Sequence, residues 1–339
     1  LEDIEIGRGK IQDYELTLWM NYSADNSAKG KYYFGRIRLD ARELKNKTFS
    51  NILLTKYTND ASITNYNSGD KTKMYAFQHT AGSQQSGWTE EELTDYRYIG
   101  TIPNNYVSFN NELWRIVGVF TVENELGEKE ARVKIVRNSS IGNLAWDTNN
   151  TVKWYEASLK TILNSGDYYN SIGDYQAIGF SEKSKEKIVP VTWNLGGSVL
   201  NETNTGQQFY DFERSDNVED GHAKEWTGEI GLLYPSDYGF ATSGGNQFDR
   251  TKCLSTPLRK WGETDCSDHN WISSLTYGCV WTLTPRTDHS TQVYIVMPEE
   301  LGYEDIYSYP CRVLPTLYLN SNIEFVSGSG TLDDPYVLK

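Results

Sequence analysis

Tyr14, Leu16, Leu18 and Met20 alternate with Glu15, Thr17 and Trp19, and after the polar run NYSADNSAKGK the segment YYFGRIRL repeats the same period of two. Alternation of this kind marks a strand with one buried face, so residues 1–40 are expected to form a β-hairpin belonging to a β-sandwich module. A lone hairpin is marginal in water. Its missing partners would come from later in the chain, from the rest of a truncated sandwich, or from a neighbouring subunit that adds strands. Residues 41–58 carry a modest helical pattern through Leu44, Phe49, Ile52 and Leu53. From Asn59 to Glu92 the chain is polar and aperiodic, which predicts a linker or long surface loop, so 41–93 is expected as a helix plus linker.

The texture changes at Asp95. TDYRYIGTIPNNYVSFNNELWRIVGVF contains a strand, a Pro-Asn-Asn turn, a short strand with an Asn110-Asn111 turn, and a buried strand through Trp114, Ile116, Val117 and Val119. ENELGEKEA then turns, and RVKIVR returns as the paired strand. KWYEASLKTILN (153–164) is the clearest helix, with Trp154, Leu159, Ile162 and Leu163 on one face. A weaker helix, SEKSKEKI, ends at Pro190. VTWNLGG, EWTGEIGLLYPSDYGFATSGG, CVWTLTPR, TQVYIVM and CRVLPTLYLN read as short strands joined by long polar loops. Residues 94–339 are expected to form one α+β domain.

Composition narrows the partners. Acidic residues outnumber basic ones 46 to 32, and the net charge of -14 repels nucleic-acid backbones and anionic lipid alike. No stretch reaches the roughly 18 apolar residues that span a bilayer. The chain opens at Leu1, as a mature product that has lost its export signal would, or as a piece cut from a longer protein. The 24 Tyr and 10 Trp fit an extracellular, β-rich protein with a recognition surface. Four cysteines, Cys253, Cys266, Cys279 and Cys311, occupy the last third without CxxC spacing. Two disulfides are preferred over free thiols, Cys253–Cys266 stapling a polar loop and Cys279–Cys311 tying two late strands.

Several of these motifs together carry a family pattern. The run Thr94 to Phe120, the helix with Trp154, Ser158, Leu159, Leu163 and Asn164, the motif GLLYPSDYGFATSGG, WTLTPR, RVLPTLYL and the closing GSGTLDDPYVL resemble an uncharacterised family of surface proteins from Gram-positive gut bacteria. Its members carry exported, pilin-like or signal-anchored N-termini. The resemblance covers roughly residues 94–339, with a weaker one over 14–39 that looks like the end of a β-sandwich module. It implies a C-type-lectin-like fold of the formylglycine-generating-enzyme kind, in which a small twisted sheet holds a long loop region for ligand contact. The calcium-binding tripeptides of true C-type lectins and the closely spaced cysteine pair of formylglycine-generating enzymes are absent here. A calcium-bridged sugar site and copper chemistry therefore do not carry over, and no metal or cofactor is expected.

Other chemistry is weakly signalled. His79, His222, His269 and His289 are scattered without a helical partner four residues on, and there is no GxSxG elbow or P-loop. Asp237, between aromatics in YPSDYG, is the best single candidate for a carboxyl with a raised pKa, beside the simpler reading of a turn-capping Asp. The aromatic segment Thr284 to Tyr309 is expected to form the ligand-facing surface, through Trp281, Arg286, Asp288, His289, Tyr294, Tyr303, Asp305, Tyr307 and Tyr309. The reading is an extracellular, non-enzymatic adhesin that recognises a protein or glycan surface ligand. The alternatives are a filament subunit self-associating through its N-terminal strands, and a carbohydrate-active enzyme.

Overall fold

A computed structural model describes residues 48–60, 63, 65–80, 87–200, 202–216, 218 and 221–339, all within the unit Leu44–Lys339. The hairpin expected at 1–40 lies outside the described residues. In chain order the first elements are helix α1 (Phe49–Leu54) and strands β1 (Tyr57–Asn59), β2 (Met74–Gln78), β3 (Thr94–Arg97), β4 (Tyr106–Phe109), β5 (Glu112–Glu123), β6 (Lys129–Arg137) and β7 (Asn143–Leu144). Helices α2 (Ser158–Asn164) and α3 (Glu182–Lys185) and strand β8 (Val191–Asn194) follow, then α4 (Gly206–Glu213), β9 (Glu225–Gly228), β10 (Ile230–Gly231), α5 (Pro235–Phe240) and α6 (Arg250–Ser255). The chain closes with β11 (Val280–Pro285), β12 (Gln292–Val296), β13 (Leu301–Asp305), β14 (Cys311–Arg312), β15 (Thr316–Tyr318), β16 (Phe325–Ser327) and β17 (Tyr336–Leu338). The protein is α+β, mostly strands, built on a curled sheet.

That sheet runs β1-β2-β3-β5-β4-β17-β16, with β6 branching from β5 and continuing through β15 to β10. Its axis is β5, whose nearly unbroken run of buried residues reflects cover on both faces. Along one edge β5 meets first β4 and then β3, and along the other it pairs with β6 over most of its length. The change of partner falls near Gly118, where the β5–β6 register also shifts. A Cβ there would stand 2.2 Å from the Tyr96 carbonyl oxygen, so only glycine lets β3 approach the bulge. The β5–β6 hairpin closes on Asn124, whose side chain accepts the N–H groups of Leu126 and Glu128 and leaves Leu126 77% exposed at the tip. A second sheet has the order β13-β12-β11-β14-β7, and β8 and β9 form a separate ribbon.

The described core is built around large rings. Trp114, Trp146, Trp154, Trp193, Trp261, Trp271 and Trp281 are all fully buried. Burying an indole favours a partner for its N–H, and five of these donate to carbonyls of other segments: Trp146 to Thr282, Trp193 to Gly228, Trp261 to Thr256, Trp271 to Tyr98 and Trp281 to Leu144. The tryptophans thus pin loops to sheets.

Local expectations meet mixed outcomes. The strands around Trp114–Val119 and 132–137 and the helix at Leu159–Leu163 form as predicted, the helix starting at Ser158 because Asp147 accepts the Ser158 N–H. The helix expected over 41–58 is described only at Phe49–Leu54, its end is taken by β1, and the stretch expected as a linker supplies β2, paired antiparallel to β3. PSDYGF, read as part of a strand, is helical: Pro235 presets the first turn and the Asp237 carboxylate takes the Tyr234 N–H. Helices α4 and α6 arise where only loops were expected, started by Thr205 with a Gln208 capping box and by Asp249. Thr284 to Tyr309 is largely a meander of β11, β12 and β13 rather than an irregular loop.

The cysteines pair as expected, Cys253 with Cys266 and Cys279 with Cys311, and no described cysteine is free. The two bonds fit an oxidising compartment outside the cytoplasm. Among the described residues no helix is long and apolar enough to cross a membrane.

Candidate functional site

The structure divides the expected ligand-facing residues into three groups. Trp281 and Tyr294 belong to the core: both are essentially unexposed, and the Tyr294 hydroxyl donates to the Val199 carbonyl while its ring packs on Phe209. Their place in the expected binding surface is corrected, because β11 is buried along its whole length and β12 at all but its first residue, so these strands are covered on both faces. Arg286, Asp288 and Tyr303 do come together. The guanidinium forks onto Asp288 at 3.0 and 2.9 Å, bonds the Gln292 side chain, and lies 4.5 Å from the Tyr303 ring centroid, with Arg259 over the same ring at 5.1 Å. Asp288 also accepts the Leu200 N–H. His289 is exposed on the β11–β12 turn, with Nδ1 3.3 Å from the Thr291 hydroxyl. Asp305 is a turn former that accepts the N–H groups of Tyr307 and Ser308.

The third group is open to solvent. Tyr307 and Tyr309 are 60% and 55% exposed, and Tyr277, which the sequence reading did not single out, is 86% exposed. Tyr277 and Tyr309 each stand two residues before a half of the Cys279–Cys311 bond. There β11 and β14 run parallel, and the Arg312 N–H donates to the Cys279 carbonyl. Disulfide and strand pairing together bring Tyr277 and Tyr309 near one another, whereas Tyr307 follows the far end of β13, beyond the Gln292–Asp305 pair. The shared spacing of Tyr277 and Tyr309 from the cysteines is the signal that could have found Tyr277.

A separate concentration of charge lies inside the protein. Asp237 is 1% exposed, with Oδ1 2.8 Å from Arg97 and Oδ2 2.5 Å from Lys134. Burial alone would raise its pKa, but Lys134 and Arg97 outweigh it and hold the carboxyl below the usual range. The expectation of a raised pKa is therefore overturned, and with it the motive for casting Asp237 as a general acid. Arg97 also bonds Asp95, which accepts from His79, and Arg97, the His79 hydrogen bond and Arg214 keep the Asp95 carboxyl low against burial. The Lys134 ammonium sits among the rings of Tyr234, Phe120, Trp193 and Tyr318.

Glu213 has the opposite character. It is fully buried, accepts the Ser236 N–H and hydroxyl, and touches Arg214 at 3.2 Å. Burial dominates and pushes its pKa up to about 7. Folding then takes up a proton between the unfolded value near 4.5 and about 7, so this group's contribution to stability is lost as the pH rises through that window. Relative to Glu213→Gln, wild-type stability is expected to fall by on the order of 1–3 kcal/mol between pH 5 and pH 8, as urea midpoints at the two pH values would read.

Above this cluster opens a cavity of about 50 Å³. Its walls are the rings of Trp88, Phe120, Tyr210, Tyr234 and Tyr318, and Thr192, Asn194, Asp95 and Arg214 are polar groups within it. The Arg214 guanidinium and the His79 ring each lie 3.5 Å from the Tyr210 centroid. Two groups that close to one centroid must occupy opposite faces, so Tyr210 is clamped. Among the described residues no grouping of His, Cys, Asp and Glu could hold a metal ion. Comparison with protein-family models, curated proteins and solved structures finds no match to the chain.

Proposed function

We propose that the chain is an extracellular, non-enzymatic ligand-binding protein, an adhesin whose scaffold is of the C-type-lectin-like kind and whose partner is a protein or glycan on a cell surface. The observation that carries this reading is the exposure of Tyr277 and Tyr309, each two residues before a half of the Cys279–Cys311 bond, with Tyr307 exposed on the turn between β13 and that bond. Tyrosine brings large contact area and a hydrogen-bonding tip for the loss of only two side-chain rotations, and a rigid base lowers the entropy cost of ordering it further. Three such rings on one soluble domain cost stability nothing to replace, so their exposure is better explained by contact with something else. Tyr303, with Arg286 and Arg259 over its ring, adds a preordered cation–aromatic element on β13. The non-enzymatic part is supported by Asp237, whose carboxylate is spent on two cations.

The triple variant Tyr277→Ala, Tyr307→Ala, Tyr309→Ala is expected to keep the wild-type melting temperature within a few degrees and to lose at least about tenfold in binding to intact cells or immobilised surface glycans, the loss that truncating a hot-spot cluster produces. Unchanged binding would remove the tyrosine group from the reading. Hydrolysis of a glycan by the purified protein would replace the reading altogether.

A further inference from the structure

The cavity beside Tyr210 holds two opposite charges whose bonding is incomplete. Arg214 uses only Nη1, donating to the Tyr210 carbonyl and to Glu213 Oε2. Its Nε and Nη2 have no partner among the described residues. These two donors form one edge of the guanidinium, the fork that matches both oxygens of a carboxylate. Asp95 shows the complementary arrangement. Oδ2 takes both His79 and Arg97, and Oδ1 has no partner among the described residues, although the side chain is only 4% exposed. Asp95 Oδ1 and the free Arg214 edge are not among the enclosed unpartnered atoms of the described residues, so both open to the cavity and are within reach of water or a ligand. Both groups line the same cavity and are close enough to interact electrostatically.

We propose that this cavity is a binding site for a small free zwitterion of the α-amino-acid type, its carboxylate on the Nε/Nη2 edge of Arg214 and its ammonium on Asp95 Oδ1. The size suits a small charged molecule held partly in the mouth: a volume of 50 Å³ accommodates about three or four water-sized groups, so part of a glycine or alanine molecule would remain in the opening. Charge agrees as well, because Glu123 and Glu225 at the cavity lining disfavour a simple anion and tolerate a molecule that brings its own ammonium. The rings of Tyr210, Tyr234 and Tyr318 supply apolar wall beside both charges, which lowers the local dielectric and strengthens both contacts. A peptide terminus carries only one of the two charges, so the occupant is the free molecule. The site shares no residue with the exposed tyrosines and stands independently of their role.

Calorimetric titration of the full chain with L-alanine tests this, with propionate and ethylammonium as single-charge controls. Alanine is expected to bind, each control at least tenfold more weakly, and Arg214→Lys, which keeps the charge and loses the fork, to weaken alanine at least tenfold. Trp88→Ala, a half-exposed wall residue outside the buried ion pairs, is expected to weaken alanine too and serves if Arg214→Lys fails to fold. No heat of binding from alanine at millimolar concentrations, equal binding of propionate, or unchanged affinity in the folded variants would overturn the assignment.

Discussion

Removal of both disulfides is expected to be the most destabilising change open to this protein. Cys253–Cys266 closes 13 residues and Cys279–Cys311 closes 32. Restricting the unfolded chain over these lengths is worth roughly 3 and roughly 4 kcal/mol, a sum comparable to the whole stability of many domains. Cys253, Cys266 and Cys311 are fully buried, so a reductant reaches them only through opening of the surrounding structure. The paired variants Cys253→Ala/Cys266→Ala and Cys279→Ala/Cys311→Ala separate the two contributions in urea titrations, with the second pair expected to cost more. The second pair should also weaken surface binding, because its bond brings Tyr277 and Tyr309 together. Equal or negligible shifts from the two pairs would show that the loop-length argument does not govern here.

Asp237→Ala is expected to cost about 3–5 kcal/mol, since it strands the buried Lys134 cation and leaves buried Arg97 with Asp95 alone. Adding Lys134→Met should recover part of the loss by removing the stranded charge and filling the aromatic cage with an apolar chain. A double variant no more stable than the single one would mean that the charge was not the source of the damage. The pH dependence follows the same sign. Asp95 and Asp237 are both held below the usual carboxylate range, so their stabilisation is complete above about pH 4 and lost as the pH falls below it. Glu213 acts in the other direction above pH 5, which leaves the stability maximum in the mildly acidic range.

Features encoded by near neighbours could be read from the chain. The 13-residue spacing of Cys253 and Cys266, the unbroken apolar run of β5 and the face of Leu159 and Leu163 are local patterns, and each has its counterpart in the structure. Features decided by distant contacts could not. The polar stretch holding β2 has no clean alternation, and Met74–Gln78 becomes a strand because β3 offers it an edge. Helices α4 and α6 span eight and six residues, too short for a period to emerge, and are marked only by their caps. Asp237 lies 103 residues from Lys134 and 140 from Arg97, so its chemistry is invisible without the fold. Trp281 and Tyr307 look alike as aromatic residues of neighbouring sequence, yet one is in the core and the other in solvent, because β11 is covered on both faces and Tyr307 sits on the turn formed by Asp305.

The exposed hairpin tip at Leu126 has a consequence for how the chain can be divided. All four cysteines follow it, so a proteolytic nick there yields two fragments that no covalent bond joins. The long ladder between β5 and β6 lies across that cut, and the two pieces would have to hold each other by mutual templating alone. The same geometry makes this tip a natural place to split the gene product for reassembly from separately expressed halves, or to insert a reporter without disturbing the exposed tyrosines.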